Sequence, residues 1–192
     1  MAATTNRSAH IFHGYHATPQ DHWFGWLAEQ LGGRGFAVTV PELPEPTAPA
    51  PDRWATVAAE AIGVPDCCGV VVAHSLGCLT VLRHLSSMAG PWRLAALVLV
   101  AGFVDTLPAL PVLDHFIGDG VDLSGLADHV DSLTILRSDD DPYVPTGHTD
   151  RLAGLLGTSA QVVPGAGHFL AADGVTSLPH VLDVIAEPRA AS

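Results

Sequence analysis

Basic residues are scarce in this chain: eight Lys and Arg stand against twenty Asp and Glu, a formal net charge of −12 over 192 residues. With so few cations, neither a nucleic-acid backbone nor an anionic membrane surface finds an electrostatic partner. Cysteine is scarce as well. Cys67, Cys68 and Cys78 are too few and wrongly spaced for a disulfide framework or a zinc site, and they read as reduced core thiols of a cytoplasmic protein. No apolar run approaches the length needed to cross a bilayer. Met1 to Ser8 leads into a strand without the apolar stretch of a signal peptide. Charged residues make up only 15% of the chain and hydrophobic ones 48%, a balance that excludes disorder and describes an α/β protein with well-buried strands. The length suits one domain spanning residues 1–192 around a continuous core.

What the chain does have is an alternation of strands and helices. Ala9 to Phe12 reads as a first strand, Pro19 to Leu31 as a helix with Asp21 near its start, and Phe36 to Val40 as a second strand. Prolines at 41, 44, 46, 49 and 51 forbid regular structure between Pro41 and Pro51, which is expected to form a long loop before a helix capped by Asp52 and running to Ile62. Val70 to Ala73 and Leu94 to Ala101 are uninterrupted apolar runs, as in strands covered on both faces. Between the second of these and a strand at Leu133 to Arg137 lie about thirty residues, too few for a lid domain. Phe103 to Phe116 is expected there as an irregular wall of a pocket, and Ser124 to Val130 as a helix. A helix over Thr149 to Leu156, a strand over Ala160 to Val163, a turn from Gly165 to Phe169 and a last helix of about ten residues ending at Ala186 complete the pattern. Such alternation predicts a mostly parallel sheet of about six strands with helices on both faces, whose ligands bind beyond the carboxyl ends of the strands.

His13, Ser75, Asp141 and His168 all fall at those ends. Ser75 sits where the apolar run Gly69 to His74 gives way to a helical pattern over Leu76 to Met88. A strand-to-helix turn there lifts the hydroxyl above the sheet and aims free N–H groups of the helix at the same point. The segment Ala73-His74-Ser75-Leu76-Gly77 departs from G-x-S-x-G only in its first residue, where alanine is the least bulky alternative. A serine hydroxyl becomes a nucleophile when an imidazole takes its proton and a carboxylate orients that imidazole. All three groups occur in the order Ser, Asp, His.

Four motifs together carry a resemblance: His13-Gly14-Tyr15 followed by Pro19, Asp21-His22-Trp23 and Trp26-Leu27; the Ala73 to Cys78 segment; Asp141-Pro142-Tyr143-Val144-Pro145; and Gly167-His168-Phe169. Spread over nearly the whole chain, they are similar to the small serine hydrolases of the YdeN and retinoblastoma-binding-protein-nine group. The resemblance implies a minimal α/β-hydrolase fold without a lid, with Ser75 as nucleophile, His168 as general base and Asp141 as orienting acid. It further implies the backbone N–H groups of Leu76 and Tyr15 as oxyanion donors. No cofactor and no metal ion are expected, and the main expectation is hydrolysis of a small ester or thioester by an acyl-enzyme route, the open lidless site predicting short acyl groups. Retinoblastoma-type binding through L-x-C-x-E is not implied, because Leu76-Gly77-Cys78-Leu79-Thr80 lacks the glutamate.

Neighbouring residues compete for these roles. Asp139 and Asp140 adjoin Asp141, which is preferred because the D-x-x-V-P pattern begins there. His74 reads as a hydrogen-bonded structural histidine, and His148 as a surface one. His10, His13, His16 and His22 fit no zinc spacing, and Trp23 and Trp26 read as helix-to-sheet core. From loop position alone, Phe103, Val104, Tyr143, Phe169 and Leu170 are expected to line the substrate pocket. Two other functions share these residues: a binding module that has lost turnover, and an amidase or peptidase.

Overall fold

The computed structural model describes residues 7–185. Its core is a sheet of six strands, all paired in parallel, in the order β2-β1-β3-β4-β5-β6. The strands are β1 (Ser8–Phe12), β2 (Ala37–Thr39), β3 (Gly69–His74), β4 (Leu94–Val100), β5 (Val130–Arg137) and β6 (Gln161–Val162). The helices are α1 (Phe24–Gly33), α2 (Pro51–Ile62), α3 (Leu76–Ser87), the single turn α4 (Asp114–Ile117), α5 (Thr146–Leu155) and α6 (Pro179–Val184). This is a minimal α/β-hydrolase architecture with no lid.

Strand periodicity divides the core. Along β3, every residue is buried. Val71 and Ala73 pack on one face with Trp54 and Ala58 of α2, Leu79 and Leu82 of α3 and Leu152 of α5. Val70 and Val72 pack on the other with Phe24, Leu27 and Leu31 of α1 and Val181 of α6. Each fully buried side chain of this kind adds about 1.5–3 kcal/mol of hydrophobic stabilisation, which makes β3 the most firmly supported platform for a residue at its end.

Several expected elements differ, and α5 starts at Thr146 rather than Thr149. The first helix begins at Phe24 rather than Pro19, because the Asp21 carboxylate accepts both the N–H and the hydroxyl of Thr18 and His22 takes a left-handed φ of 56°. The second is capped at Ala50 with Pro51 as its first residue and Asp52 in its first turn. Ser124 to Val130 is no α-helix: Asp122 draws the N–H and hydroxyl of Ser124, Gly125 is left-handed, and only a 3-10 turn over Leu126–His129 fits before β5 opens at Val130. Cys78 is a core thiol, but Cys67 is exposed and Cys68 half-exposed in the turn before β3. The last helix ends at Val184, and Ala186, where its end was expected, lies outside the described residues, as do Met1 to Asn6. The proline-rich stretch is a long ordered loop held by Trp54 Nε1–H on the Pro44 carbonyl and by the N–H of His16 on that of Pro46.

Candidate active site

Ser75 occupies the junction of β3 and α3 with φ 54° and ψ −125°, a left-handed conformation that a non-glycine residue adopts only when its surroundings impose it. They do so here from both sides. The Ser75 N–H is tied to the Val100 carbonyl of β4, and Gly77 lies so close to β1 that a Cβ there would come within 2.4 Å of the His13 carbonyl oxygen. The alanine in place of the first glycine is harmless, because Ala73 is an ordinary β-strand residue paired with Phe12 and Leu99.

His168 comes over Ser75 from the turn after β6. Its Nε2 lies 2.9 Å from Ser75 Oγ, and its Nδ1 lies 2.7 Å from Asp141 Oδ2. The carboxylate can only accept, so Nδ1 carries the proton and Nε2 presents its lone pair to the serine hydroxyl. Asp141 is fixed in turn, its Oδ1 accepting the N–H groups of Tyr143 and Val144. All three side chains are buried.

The two loops that carry the acid and the base are joined by side chains receiving consecutive N–H groups. Asp139 accepts from Gly165, Ser138 Oγ from Ala166, and Asp140 Oδ1 from Gly167, at 2.8, 3.1 and 2.8 Å. Beyond them Asp173 Oδ2 accepts from His168 and Leu170, and Trp23 Nε1–H donates to the Phe169 carbonyl. The Ser138 hydroxyl and the Gly167 N–H hold the Asp140 carboxyl below its usual pKa. Asp139 and Asp140 thus fasten the His168 loop, and Asp141 alone reaches the imidazole.

On the other side of Ser75, His13 closes the turn after β1. Its Nδ1–H donates to the Gly14 carbonyl and its Nε2 accepts the N–H of Leu43, so the neutral ring bridges this turn and the proline-rich loop. Burial lowers its pKa and favours that neutral form. Among the described residues the N–H groups of Tyr15 and Leu76 have no hydrogen-bond partner, and Gly14 backs directly onto Ser75.

These groups open into a cavity of about 340 Å³ lined by Tyr15, His16, His22, His74, Ser75, Leu110, Tyr143, His168 and Leu170. Tyr143 and Leu170 are where the sequence expected them. Phe103, Val104 and Phe169 do not line it, and each is buried in a core cluster instead. After β4, Gly102 is clamped between Cys78 and Leu152, which sends Phe103 and Val104 inward, and of the segment Phe103 to Phe116 only Leu110 reaches the cavity. Phe169 turns away because its φ is 60° and its carbonyl is held by Trp23.

His16, His22 and Leu110 are cavity residues that sequence patterning missed. The histidines were considered only as metal ligands, yet both have positive φ, which turns them against the direction of the adjoining chain. His148 is half-buried at the start of α5, and Trp23, buried, precedes α1 rather than belonging to it. No helix among the described residues is long and apolar enough to cross a membrane.

The sequence profile described as Serine hydrolase matches residues 9–187. YdeN of Bacillus subtilis is 32% identical over 179 residues, which are 93% of this chain and 94% of that protein. Its crystal structure superposes with a TM-score of 0.89, covering 94% of this chain and 97% of that one. At lower identity the fold alone is shared with Est1E from Butyrivibrio proteoclasticus (15% identical, TM-score 0.65, 95% and 89% covered). It is likewise shared with the esterase RhEst1 from Rhodococcus sp. ECU1013 (16%, TM-score 0.60, 92% and 87%).

Proposed function

The chain belongs to the serine hydrolase family, and we propose that it cleaves small, short-acyl esters or thioesters through an acyl-enzyme on Ser75. The observation that carries this reading is the unbroken hydrogen-bonded line from Asp141 through His168 to Ser75, ending at a cavity with two free N–H donors beside it.

In the proposed reaction, Ser75 Oγ attacks the substrate carbonyl while His168 Nε2 takes the hydroxyl proton. The developing oxyanion is received by the N–H groups of Leu76 and Tyr15, a role supported by their having no other hydrogen-bond partner among the described residues. Collapse of the tetrahedral intermediate breaks the acyl–oxygen or acyl–sulfur bond, and the imidazolium returns its proton to the leaving alcohol or thiol. A water molecule, deprotonated by the same Nε2, then releases the acid and restores Ser75. Asp141 keeps Nδ1 protonated throughout and steadies the imidazolium. The lidless cavity suits short acyl groups rather than long lipids, and the whole machinery sits on what we read as one domain needing no cofactor.

The test is intact mass after incubation with a fluorophosphonate, on the wild-type chain and on Ser75→Ala. One adduct on the wild type and none on the variant, together with loss of p-nitrophenyl ester hydrolysis in the variant, is the expected result. A folded wild-type chain that takes no adduct would instead be a binding module.

A further inference from the structure

His74 is a buried polar residue beside Ser75 that the proposed mechanism leaves unused, and its environment is unusual. The ring is 2% exposed. Its Nε2 lies 2.8 Å from the main-chain carbonyl oxygen of His168. A carbonyl only accepts, so Nε2 carries the hydrogen, and Nδ1 is left as a bare lone pair, buried and without a partner among the described residues. An unpartnered buried acceptor is destabilising. The ring otherwise meets Trp23, Phe24 and His22 at 6.1, 5.8 and 6.0 Å between centroids, surroundings in which an aliphatic side chain would pack without that penalty. Packing against these rings does not by itself call for a histidine at this position.

Geometry supplies a reason. His74 is the residue before the nucleophile, and the group it holds belongs to the base itself. Its hydrogen bond is the shortest link between the rigid end of β3 and the loop that carries His168. The peptide group on the other side of His168 is already fixed, its N–H donating to Asp173 Oδ2 at 2.8 Å. With the carbonyl fixed by His74, both main-chain arms of His168 are tied, and the two rings lie 4.9 Å apart at 49°.

We propose that His74 is a positioning residue which, through its Nε2–H on the His168 carbonyl, sets the distance between His168 Nε2 and Ser75 Oγ. Nε2–H donates whether the ring is neutral or protonated, but only a neutral ring leaves the imidazolium of His168 without a like charge beside it. The titratable groups that face it are His168, His22 and His13, none of them acidic, and burial followed by the charge His168 takes up holds the His74 pKa well below its ordinary value. His74 therefore stays neutral while its neighbour cycles through the imidazolium. This inference rests on the Ser75 mechanism proposed above.

The experiment compares fluorophosphonate labelling rates and p-nitrophenyl butyrate kinetics for the wild-type chain, His74→Leu and His74→Gln, with circular dichroism to confirm folding. Glutamine places an amide N–H near the position of Nε2, and leucine fills the space without a donor. His74→Leu is expected to lose about 10- to 100-fold in labelling rate and kcat with KM changed less than about twofold, while His74→Gln stays within about threefold of the wild type. Labelling of the folded leucine variant at the wild-type rate would overturn the proposal, since a merely structural His74 would alter thermal stability and not that rate. A glutamine variant that falls as far as leucine would overturn it too. Should His74→Leu not fold, His74→Asn replaces it: its amide is too short to reach the carbonyl, so it should lose what glutamine keeps, and equal rates for the two amides would overturn the assignment. A wild-type chain that takes no label at all would remove the Ser75 mechanism itself, a failure seen before any variant is made.

Discussion

Asp140 accepts the Gly167 N–H at 2.8 Å while its neighbour Asp141 holds His168 Nδ1 at 2.7 Å, so adjacent carboxylates grip the same loop, one by its backbone and one by its imidazole. Substitution should separate the two. Asp141→Asn leaves the ring without its acceptor and favours the wrong tautomer, and kcat should fall by about 10⁴-fold, the scale on which such orienting carboxylates act. Asp140→Asn weakens one anchor among several and should lower kcat by about tenfold or less. Steady-state kinetics on a p-nitrophenyl ester decide it: equal losses would show that the acid has been misassigned.

The elbow predicts a steric effect on stability. A Cβ on Gly77 would lie 2.4 Å from the His13 carbonyl oxygen and 3.1 Å from that of Phe12, backbone atoms just beyond and at the end of β1. Neither can move without disturbing the pairing of β1 with β3. Gly77→Ala should destabilise the fold by about 2–4 kcal/mol, read as a lowered urea midpoint. A loss under about 0.5 kcal/mol would mean that α3 can shift away from β1.

The order of elements, and the serine, aspartate and histidine that the fold brings into one hydrogen-bonded line, were legible because each depends on a local signal. Val70 to Ala73 could only be a buried strand, and the serine, aspartate and histidine each follow a strand. Two kinds of information were not legible. Side-chain capture of backbone groups, as at Thr18 and Asp21 or at Asp122 and Ser124, shortened or removed helices whose apolar spacing was adequate. The direction of a loop side chain depends on a single φ, and the positive φ of His16, His22 and Phe169 carries no mark in residue type. Phe169 for that reason leaves the cavity wall and His16 and His22 join it, while the clamped Gly102 sends Phe103 and Val104 inward and only Leu110 of that segment reaches the cavity. His74 was read as a hydrogen-bonded structural histidine; its partner, 94 residues away, is visible only in three dimensions.

Buried and half-buried imidazoles give the fold a sensitivity to mild acid. His10, His13, His22 and His74 all have folded-state pKa values below the ordinary value, burial being the first cause in each. Unfolded imidazoles take protons as pH falls through about 6.5, and the folded ones do not, so the unfolded state binds more protons there. Stability is therefore complete above pH 6.5 and is lost below it. His74 alone should contribute a slope of about 1.4 kcal/mol per pH unit until its own folded pKa is reached. Urea titrations from pH 7.5 to 5 measure it, and His74→Gln should flatten the slope by one proton. A slope unchanged in that variant would mean that His74 is protonated in the folded chain.

Charge should govern which esters the cavity accepts. Besides the reacting groups, its lining is Tyr15, His16, His22, His74, Leu110, Tyr143 and Leu170, with no arginine or carboxylate among them, and Asp141 lies behind His168. The lining thus offers an anion no arginine or lysine, while the net charge of −12 opposes its approach. An acyl group bearing a free carboxylate would be desolvated without a partner, and a neutral one of the same length would not. Methylumbelliferyl butyrate should therefore be hydrolysed with a kcat/KM at least about tenfold above that of the hemisuccinate, a gap of about 1.4 kcal/mol. The part of the gap due to long-range repulsion should shrink as ionic strength rises from 10 to 200 mM, because the screening length falls from about 30 Å to under 10 Å. The part due to desolvation inside the cavity should persist. A hemisuccinate hydrolysed as fast as the butyrate at low salt would mean that a cation reaches the acyl group, and the arginine that supplies it would then have to be sought outside the cavity wall.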